Sequence, residues 1–406
     1  MAERYDIIVN GAGLIGSALT LALSRHGLEV ALIDPVAAEI RADPEFDGRA
    51  YAVAEASANL LDALGIWETL TGKAEPVTRM EVEDQTPGPL RPQALHFDPA
   101  EGDQRLLGWI IEDRWLRGAL LRAIAEADGI HHYAPAQPTD LRFGPGGAEV
   151  DLEDRTLRAD VVLACDGRRS KTALAAGIRY LAWDYRQIGL VCAIEHSRPH
   201  EGTAFQAFFP GGPFAQLPLP ENRSCIVWSE SRALAEEIAA RGDDAYEAEV
   251  ASRLGGRLGD VRLAGRRWAY PLGLSLATSY ARPRLALCGD AAHGIHPIAG
   301  QGLNLGFRDV AALTEVLVEA MRRGEDLGAL DVLRRYERWR RFDGAAMTLG
   351  MNGLNRLFST DFAVTQAARN AGLRVVGRVA PLRRFFMGEA TGLSGDIPRL
   401  LAGQAI

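Results

Sequence analysis

The sequence predicts an α/β fold, because strand, glycine-rich loop and helix follow one another near both ends of the 406-residue chain. The first such unit starts at Tyr5 and the second at Leu285. Between them, residues 187–229 have the pattern of strands joined by proline and glycine turns, without helical spacing. We therefore expect a Rossmann-like domain interleaved with a β-rich domain and followed by C-terminal helices.

The N-terminal unit has the pattern of a dinucleotide-binding site. A strand from Tyr5 to Asn10 runs directly into Gly11-Ala12-Gly13-Leu14-Ile15-Gly16, which opens a helix. A second strand ends at Asp34, eighteen residues after the last of these glycines. In a βαβ unit this spacing lets a pyrophosphate approach the helix N-terminus and places the acid near a ribose diol.

A second glycine-rich loop, Cys288 to Gly306, follows the short apolar strand Leu285 to Leu287. Residues 307–322 then have the apolar spacing of a helix. Asp290 stands at the strand end, where it can accept a hydrogen bond from a hydroxyl but would repel a phosphate. A helix N-terminus suits an anion or a polar ring. Together the two loops predict a ligand that carries hydroxyls, phosphates and a flat polar ring.

The remaining elements follow from apolar periodicity and turn residues. In chain order we expect a helix over Ala50 to Leu64, strands over Val77 to Asp84, Gln93 to Phe97 and Leu106 to Ile111, a helix over Arg114 to Ala127, a hairpin turn at Pro145 to Gly147, a strand over Val161 to Cys165, and helices again from Arg232. The strand that ends at Cys165 delivers Asp166 and Gly167 to a loop.

These elements divide the chain into alternating domain segments. We expect the Rossmann-like domain to take residues 1–75, 101–180 and 276–330, the β-rich domain residues 76–100 and 181–275, and the C-terminal helices residues 331–406.

The composition is that of an ordinary globular enzyme, with 47% hydrophobic and 24% charged residues. No apolar run reaches the roughly 18 residues that a spanning helix needs. The first strand starts at Tyr5, so we expect no signal or transit peptide. The four cysteines stand singly in apolar runs without metal-ligand spacing, which predicts reduced core residues and a cytoplasmic location.

Charge is divided unevenly along the chain. From Asp331 onward twelve arginines stand against six acidic residues, so the net charge of −8 splits into +6 there and −14 before it. Nucleic acid is not an expected partner, because no reading element or aromatic platform accompanies the basic charge. The basic segment suits the inner, anionic face of the cell membrane or an acidic partner, with a solvated helix face as the alternative. The residues that would meet lipid are Arg338, Trp339, Arg340, Arg341, Phe342, Arg383, Arg384, Phe385, Phe386 and Met387.

The chain resembles the FAD-dependent aromatic hydroxylases that share the para-hydroxybenzoate hydroxylase fold. It has three of their motifs in the same order along the sequence, at Gly11 to Gly16, Asp166-Gly167 and Gly289-Asp290. Gly289 to Gly306 resembles more narrowly the ubiquinone-biosynthesis hydroxylases of the UbiH type. Further likeness to that family lies in Glu195, His196, His200, Gly212 to Leu219, Val227-Trp228, Tyr270-Pro271-Leu272 and Asn352 to Phe358. Cys165 and Arg168 depart from the family pattern, in which a small residue and a variable residue are expected.

The resemblance implies a bound, non-covalent FAD. The residues it assigns to the cofactor are Gly11, Gly13, Leu14, Ile15, Gly16, Asp34, Arg49, Arg114, Asp166, Gly167, Gly289, Asp290, Gly300, Gln301, Gly302, Leu303 and Asn304. Asp34 would bind the adenosine ribose, and Asp290 a ribityl or pyrophosphate-side hydroxyl. Backbone N–H groups of the helix that opens near Gly302 would face the pyrimidine edge of the flavin. Arg49 and Arg114 would lie near the phosphates or ribose, with plain surface arginines as the alternative.

The implied activity is hydroxylation of the aromatic ring of a polyprenylated phenol in ubiquinone biosynthesis. NAD(P)H would visit transiently to reduce the flavin, because the other glycine cluster, Gly255 to Gly259, neither follows a strand nor keeps the dinucleotide spacing. The reduced flavin would react with O₂ to a C4a-hydroperoxide, which donates OH to the ring while the protein excludes water. A hydroxylase of another aromatic compound, a reductase or dehydrogenase without oxygen insertion, and a non-catalytic FAD scaffold are the alternatives.

This chemistry requires no Ser, Cys or Lys nucleophile, so the sequence assigns no definite catalytic side chain. His296 is a candidate for proton relay or pocket lining, and a structural hydrogen bond is an equally good interpretation. Asp290, His293 and His296 do not predict a metal site, because proline and glycines make this stretch a loop and a flavin needs no metal. A homodimer and an association with other ubiquinone-biosynthesis proteins stay open.

Overall fold

The computed structural model describes residues 3–85, 94–97, 106–295, 300–341, 344, 388 and 391–406. Its strands are β1 (Glu3–Asn10), β2 (Val30–Ile33), β3 (Ala50–Val53), β4 (Ala74–Pro76), β5 (Arg79–Asp84), β6 (Ala94–Phe97), β7 (Trp109–Glu112), β8 (Ile130–Tyr133), β9 (Asp140–Gly144), β10 (Gly147–Asp151), β11 (Thr156–Ala164), β12 (Tyr180–His196), β13 (Thr203–Phe209), β14 (Gly212–Leu219), β15 (Arg223–Ser231), β16 (Val261–Ala277), β17 (Ala281–Arg282), β18 (Leu285–Leu287) and β19 (His293–Gly294). Its helices are α1 (Leu14–Ser24), α2 (Ala38–Arg41), α3 (Glu55–Ala63), α4 (Trp67–Leu70), α5 (Asp113–Glu126), α6 (Lys171–Ala175), α7 (Arg232–Ala240), α8 (Asp243–Leu254) and α9 (Gly302–Arg322), and residues 330–341 are also helical.

The first sheet forms the Rossmann-like core. Its strand order is β17-β18-β11-β1-β2-β8, and the five strands from β18 to β8 run parallel. In register, Ile7 lies between Val161 and Val30. Strand β2 is buried along its whole length, as expected for apolar strands of a parallel sheet that helices cover on both faces. Helix α1 packs against α9 and α5. Ile15 near the start of α1 lies against Gly306 near the start of α9, so the N-termini of these two helices are close together.

The second sheet forms the β-rich domain, with strand order β19-β16-β12-β15-β14-β13-β5-β6. All neighbours in it are antiparallel except β13 and β5. Phe214, Trp228 and Tyr246 belong to its core, so α8 packs on this sheet. Its strands come from stretches of chain that alternate with those of the first sheet, which confirms the interleaved α/β fold. The residue limits of the domains stay a prediction.

The predicted helix over Ala50 to Leu64 is wrong at its start. Ala50–Val53 is strand β3, and helix α3 begins only at Glu55. Strand β3 pairs with β7 in a three-stranded sheet β3-β7-β4, with Tyr51 opposite Ile111. The run Ala-Tyr-Ala-Val is compatible with either state, and pairing with a strand distant in sequence decides between them.

Residues 330–341 contain five of the six described arginines of the basic C-terminal segment. Arg338 and Arg341 are exposed, but Arg340 is only 1% exposed and forms an ion pair with Asp309 at 2.8 Å. The prediction that Arg340 meets lipid is therefore wrong, because a carboxylate already neutralises its charge inside the protein. Phe342, Arg383, Arg384, Phe385, Phe386 and Met387 lie outside the described residues. In the part of the chain that the structure describes, no helix is long and apolar enough to cross a membrane.

Candidate functional site

The carboxyl ends of four parallel strands meet at one edge of the first sheet. Strands β18, β11, β1 and β2 lie side by side in that order, and each is followed by a loop or acid predicted to bind the cofactor. Cys165 donates a backbone hydrogen bond to the Asn10 carbonyl at 2.8 Å, and Cys288 donates one to the Ala164 carbonyl at 3.0 Å. Motifs distant in sequence are thus neighbours at the edge where open α/β sheets bind ligands.

The N-terminal loop is shaped by contacts that leave no room for side chains. A Cβ at Gly11, where φ is +110°, would lie 2.5 Å from the carbonyl oxygen of Cys165. A Cβ at Gly16 would lie 1.8 Å from the carbonyl oxygen of Gly11. At Gly13, by contrast, a Cβ would meet no atom within 4 Å. The chain itself therefore requires Gly11 and Gly16, whereas Gly13 faces open space beside Leu14, the first residue of α1.

Ile15 joins the N-terminal loop to the second glycine-rich loop. A Cβ at Gly289 would lie 3.0 Å from Ile15 Cγ2, and a Cβ at Gly306 would lie 2.5 Å from Ile15 Cδ1. The isoleucine side chain thus uses the space that two glycines leave. Cys165 is accommodated in a similar way, because its Cβ approaches Gly16, where a Cβ would be 3.0 Å away.

Asp34 is 1% exposed, and the chain already engages its carboxylate. Oδ2 accepts a hydrogen bond from the Ala12 N–H at 2.7 Å. Oδ1 accepts from the Val36 N–H at 2.8 Å and from Arg41 Nε at 2.7 Å. A carboxylate offers about four lone-pair positions, so Oδ2 keeps capacity for a ribose hydroxyl. The ribose contact stays a prediction, and Arg41 is a neighbour that the sequence pattern did not indicate.

Asp166 and Gly167 lie in the loop after β11. Asp166 Oδ2 accepts hydrogen bonds from the N–H and the hydroxyl of Thr172, at 3.1 and 3.0 Å. Asp166 Oδ1 is buried and has no hydrogen-bond partner among the described residues. A Cβ at Gly167 would meet no atom within 4 Å. One carboxylate oxygen therefore lacks a donor beside a glycine that faces open space.

Arg168 links the loop after β11 to the loop after β18. Its Nε donates to Asp290 Oδ2 at 3.1 Å, and its terminal NH₂ donates to the Ile295 carbonyl at 2.7 Å. Gly294 gives it room, since a Cβ there would lie 3.0 Å from Arg168 Nε. Asp290 remains 45% exposed. The departure from the family pattern at Arg168 therefore supplies a partner to the predicted cofactor carboxylate.

The N-terminus of α9 is hydrogen-bonded to the chain segment that follows Arg49. Asn304 Oδ1 accepts from the Ala54 N–H at 2.9 Å and from the Ser57 hydroxyl at 2.7 Å, and Asn304 Nδ2 donates to the Ala52 carbonyl at 3.0 Å. The side chain of Asn304 is thus structural, and backbone N–H groups are what this turn can offer a ligand. Gln301 precedes α9 as its N-cap residue, and a Cβ at Gly302 would meet no atom within 4 Å. Gly300 has φ of +65°, and Leu303 is buried.

Arg49 and Arg114 lie around the loop that precedes β3. Arg49 pairs with Asp47 at 2.6 Å and with Asp113 at 3.2 Å. Burial alone would lower the pKa of Arg49, but the hydrogen bond to Asp47 and the charge of Asp113 outweigh burial and raise it. Arg114 pairs with the buried Glu112 at 2.7 Å. Neither guanidinium is a free surface charge, and their contact with the cofactor stays a prediction.

A buried ion cluster that the motif analysis missed lies against the loop after β18. Asp309 in α9 accepts the Gly289 N–H at 3.0 Å and contacts His293 Nε2 at 2.5 Å, both through Oδ2. Its Oδ1 accepts from Arg340 Nε at 2.8 Å. Burial acts to lower the pKa of His293, but the charge and hydrogen bond of Asp309 outweigh it, so this pKa is raised. A carboxylate within the apolar run of α9 was the available signal, since buried charges need partners.

His296 lies outside the described residues, so its role as a catalytic candidate stays a prediction. Over the described ranges, no group of three His, Cys, Asp or Glu side chains is arranged to hold a metal ion.

Comparison with known proteins extends these findings. A family model described as FAD binding domain matches residues 4–348. The ubiquinone hydroxylase UbiL of Rhodospirillum rubrum is 42% identical, over 98% of this chain and 92% of that protein. The 3-demethoxyubiquinol 3-hydroxylase of Escherichia coli is 35% identical, over 96% of this chain and 99% of that protein. The mitochondrial ubiquinone biosynthesis monooxygenase COQ6 of Rattus norvegicus is 29% identical, over 95% of this chain and 91% of that protein.

Solved structures share the fold. The p-nitrophenol 4-monooxygenase PnpA of Pseudomonas putida has a TM-score of 0.78 at 19% identity, over 96% of this chain and 99% of that chain. PqsL of P. aeruginosa in complex with 2-aminobenzoylacetate has a TM-score of 0.76 at 23% identity, over 92% of this chain and 100% of that chain. At these identities the likeness concerns the fold alone. The family match and the relatives above 30% identity go further: the chain belongs to the FAD-binding-domain family of flavin-dependent monooxygenases that includes the ubiquinone hydroxylases.

Proposed function

We propose that this protein uses NAD(P)H and O₂ to hydroxylate the aromatic ring of a polyprenylated phenol in ubiquinone biosynthesis. The observation that carries the proposal is that four strands end side by side at one sheet edge, each followed by a segment predicted to bind the cofactor, in a chain whose relatives are named as ubiquinone hydroxylases. The relatives' names support the substrate class, and the sheet edge is the place proposed for the cofactor.

The residues at this edge fit FAD. Gly13 and Gly167 face open space, so a pyrophosphate could approach the backbone closely there. Asp166 Oδ1 needs a donor, and Asp34 Oδ2 can accept one more hydroxyl. The side chain of Asp290 is half-exposed just after the strand end, where a ribityl or pyrophosphate-side hydroxyl would meet it. FAD, when bound, supplies the redox chemistry by accepting a hydride from NAD(P)H and activating O₂.

The first turn of α9 would hold the polar edge of the flavin ring. The first N–H groups of a helix have no partner within the helix, and they carry its partial positive charge. Asn304 ties this turn to β3 and α3 through three hydrogen bonds, so the donors are fixed before the ligand arrives. Donors fixed in this way stabilise developing negative charge without reorganisation.

NAD(P)H is proposed as a transient co-substrate. The glycine cluster that starts at Gly255 ends helix α8, and Gly255 itself has φ of +61° in the left-handed region. This is the geometry of a helix C-cap and not of a phosphate loop. The dinucleotide pattern after β1 is then left to FAD, so the reductant binds without a Rossmann domain of its own.

We propose that the exposed side of the 330–341 helix contacts an anionic membrane surface. A prenyl tail keeps its phenol in a bilayer, because each CH₂ group in water costs about 0.8 kcal/mol. Arg338 and Arg341 are exposed, and an arginine near anionic headgroups contributes about 1 kcal/mol. An acidic protein partner or a second copy of the chain would use the same charges without lipid.

The test follows the oxygen atom. Purified protein should be yellow with equimolar FAD, should oxidise NAD(P)H faster when a prenylated phenol is present, and should place label from ¹⁸O₂ in the product. A reductase would consume NAD(P)H without labelled product, and a scaffold would bind FAD without substrate-dependent oxidation. The phenol that accumulates in a deletion strain identifies the missing step.

A further inference from the structure

Asp309 lies where the loop after β18 meets the 330–341 helix. The same carboxylate accepts the N–H of Gly289, contacts the ring of His293 and accepts a hydrogen bond from Arg340. Gly289 and His293 flank Asp290 in the loop after β18, whereas Arg340 belongs to the 330–341 helix. One side chain of α9 therefore bridges two parts of the chain that do not adjoin in sequence.

The bond at Gly289 controls where the loop turns. Gly289 has φ of +64°, in the left-handed region, and its N–H is fixed by Asp309 at 3.0 Å. Asp290 follows directly and projects a half-exposed carboxylate. The direction of that carboxylate therefore depends on the peptide that Asp309 holds.

The bridge is built from buried charges. The side chains of Asp309, Arg340 and His293 are 0%, 1% and 2% exposed. When one partner of a buried ion pair is lost, the remaining charge is uncompensated, so such a cluster holds one geometry. The 330–341 helix is fastened a second time by Glu337, which accepts the Tyr280 N–H at 2.7 Å.

We propose that Asp309 is a positioning residue for FAD and that, through Arg340, it couples retention of FAD to docking of the 330–341 helix. The inference rests on the proposed FAD contact at Asp290. Asp309 acts through the Gly289 peptide and does not touch the cofactor itself.

The experiment measures spontaneous FAD release from the full-length holoprotein by the rise in flavin fluorescence. In Asp309→Asn only the amide oxygen can accept a hydrogen bond. If that oxygen accepts from Gly289, the amide nitrogen faces the Arg340 donor, so one of the two hydrogen bonds is lost. FAD release should accelerate about tenfold to a hundredfold, the range for a hydrogen bond to a charged group. Arg340→Met should also accelerate release, and Arg340→Lys, which keeps the charge, should accelerate it less.

Leu313→Ala is the matched control. Leu313 is fully buried one turn further along α9, so its truncation lowers the melting temperature, and its apolar side chain makes no hydrogen bond to the loop. Its FAD release rate should stay at the wild-type value. Melting temperature and far-UV circular dichroism of every variant show that release is compared among folded proteins.

Release at the wild-type rate from Asp309→Asn and from Arg340→Met overturns the inference. The inference is also overturned if Leu313→Ala releases FAD as fast as Asp309→Asn for the same loss in melting temperature. The role of Asp309 would then be only structural. If Asp309→Asn does not fold, the Arg340 variants decide. The inference then requires that the FAD release rate rise from wild type to Arg340→Lys and again to Arg340→Met, and any other order overturns it. Wild-type protein that cannot hold FAD at all would refute the proposed function instead.

Discussion

Two loops at the same sheet edge are held in place by different forces. The N-terminal loop is fixed mainly by close backbone contacts, since side chains at Gly11 and Gly16 would overlap carbonyl oxygens, and its Ala12 N–H adds one hydrogen bond to the Asp34 carboxylate. The loop after β18 is fixed by the buried charges of Asp309 and Arg340, which come from other elements. A loop held by backbone contacts fails when atoms are added, whereas a loop held by charges fails when a proton or a partner is lost.

The largest effect should come from adding atoms to the first loop. In Gly16→Ala the new Cβ would be 1.8 Å from the carbonyl oxygen of Gly11, so the backbone of α1 or the loop must move. We expect unfolding free energy to fall by more than about 3 kcal/mol, or no soluble protein to form. Urea unfolding measures this loss. Gly13→Ala is the control and should unfold like wild type, and equal losses in both variants would mean that contact geometry does not decide.

Gly13→Val separates what the chain needs from what the ligand needs. The substitution meets no atom of the chain within 4 Å of the new Cβ, so the fold should survive. The branched side chain would fill the space proposed for the pyrophosphate, and FAD should be lost. Visible absorbance and far-UV circular dichroism report the two outcomes separately. Full retention of FAD would place the dinucleotide elsewhere.

Asp290→Ala tests the second loop at the point where it would meet the ligand. Loss of a hydrogen bond to a charged group should weaken FAD binding by about 1.5 to 3 kcal/mol. Titration of apoprotein with FAD measures the change. Arg168→Ala removes the partly exposed partner of Asp290, and such pairs contribute about 0 to 1 kcal/mol, so its loss should be smaller. An equal loss would mean that Arg168 itself binds the cofactor.

The same two kinds of constraint explain what the sequence could predict. Glycine spacing and the acid at Asp34 are local patterns, so the strand, loop and helix at both ends of the chain were predicted and confirmed as elements. Ala50–Val53 was predicted as helix, because its pairing with β7 is invisible locally. Arg340 looked like a surface charge for the same reason.

The predicted site residues fall into groups that sequence alone does not separate. Gly11 and Gly16 serve the chain, while Gly13 and Gly167 face open space. Asn304 was assigned to the cofactor by resemblance, yet its side chain forms three hydrogen bonds within the protein. Only the fold reveals which atoms remain available, because that depends on neighbours far away in the chain.

The exposed arginines of the 330–341 helix sharpen the contrast with buried Arg340. Replacing Arg338 and Arg341 with Gln should weaken binding to anionic vesicles by about 2 kcal/mol, at about 1 kcal/mol for each arginine. Vesicle co-sedimentation measures binding, and turnover of long-tailed substrate should fall with it. Turnover of a short-tailed phenol and release of FAD should be unchanged, because Arg340 is left in place. Equal losses with both substrates would point to folding or subunit contacts.

The smallest effect should separate the two loops by pH. Because the pKa of His293 is raised above its ordinary 6.5, its protonated form stabilises the folded state below about that pH. This contribution should disappear as pH rises through the raised pKa. The charged groups around the ring are Asp309 of α9, Arg340 of the 330–341 helix and Asp290 of its own loop.

Urea midpoints measured between about pH 6 and pH 9 should therefore decline in wild type, and less steeply in His293→Gln, whose amide does not titrate. Gly13→Ala changes only the uncharged N-terminal loop, so it should keep the wild-type slope. The slope of the urea midpoint against pH should thus change in the variant of the loop held by charges and stay unchanged in the variant of the loop held by backbone contacts. Identical slopes in wild type and His293→Gln would mean that His293 carries no proton that matters to folding, and the ion cluster would then reduce to Asp309 and Arg340.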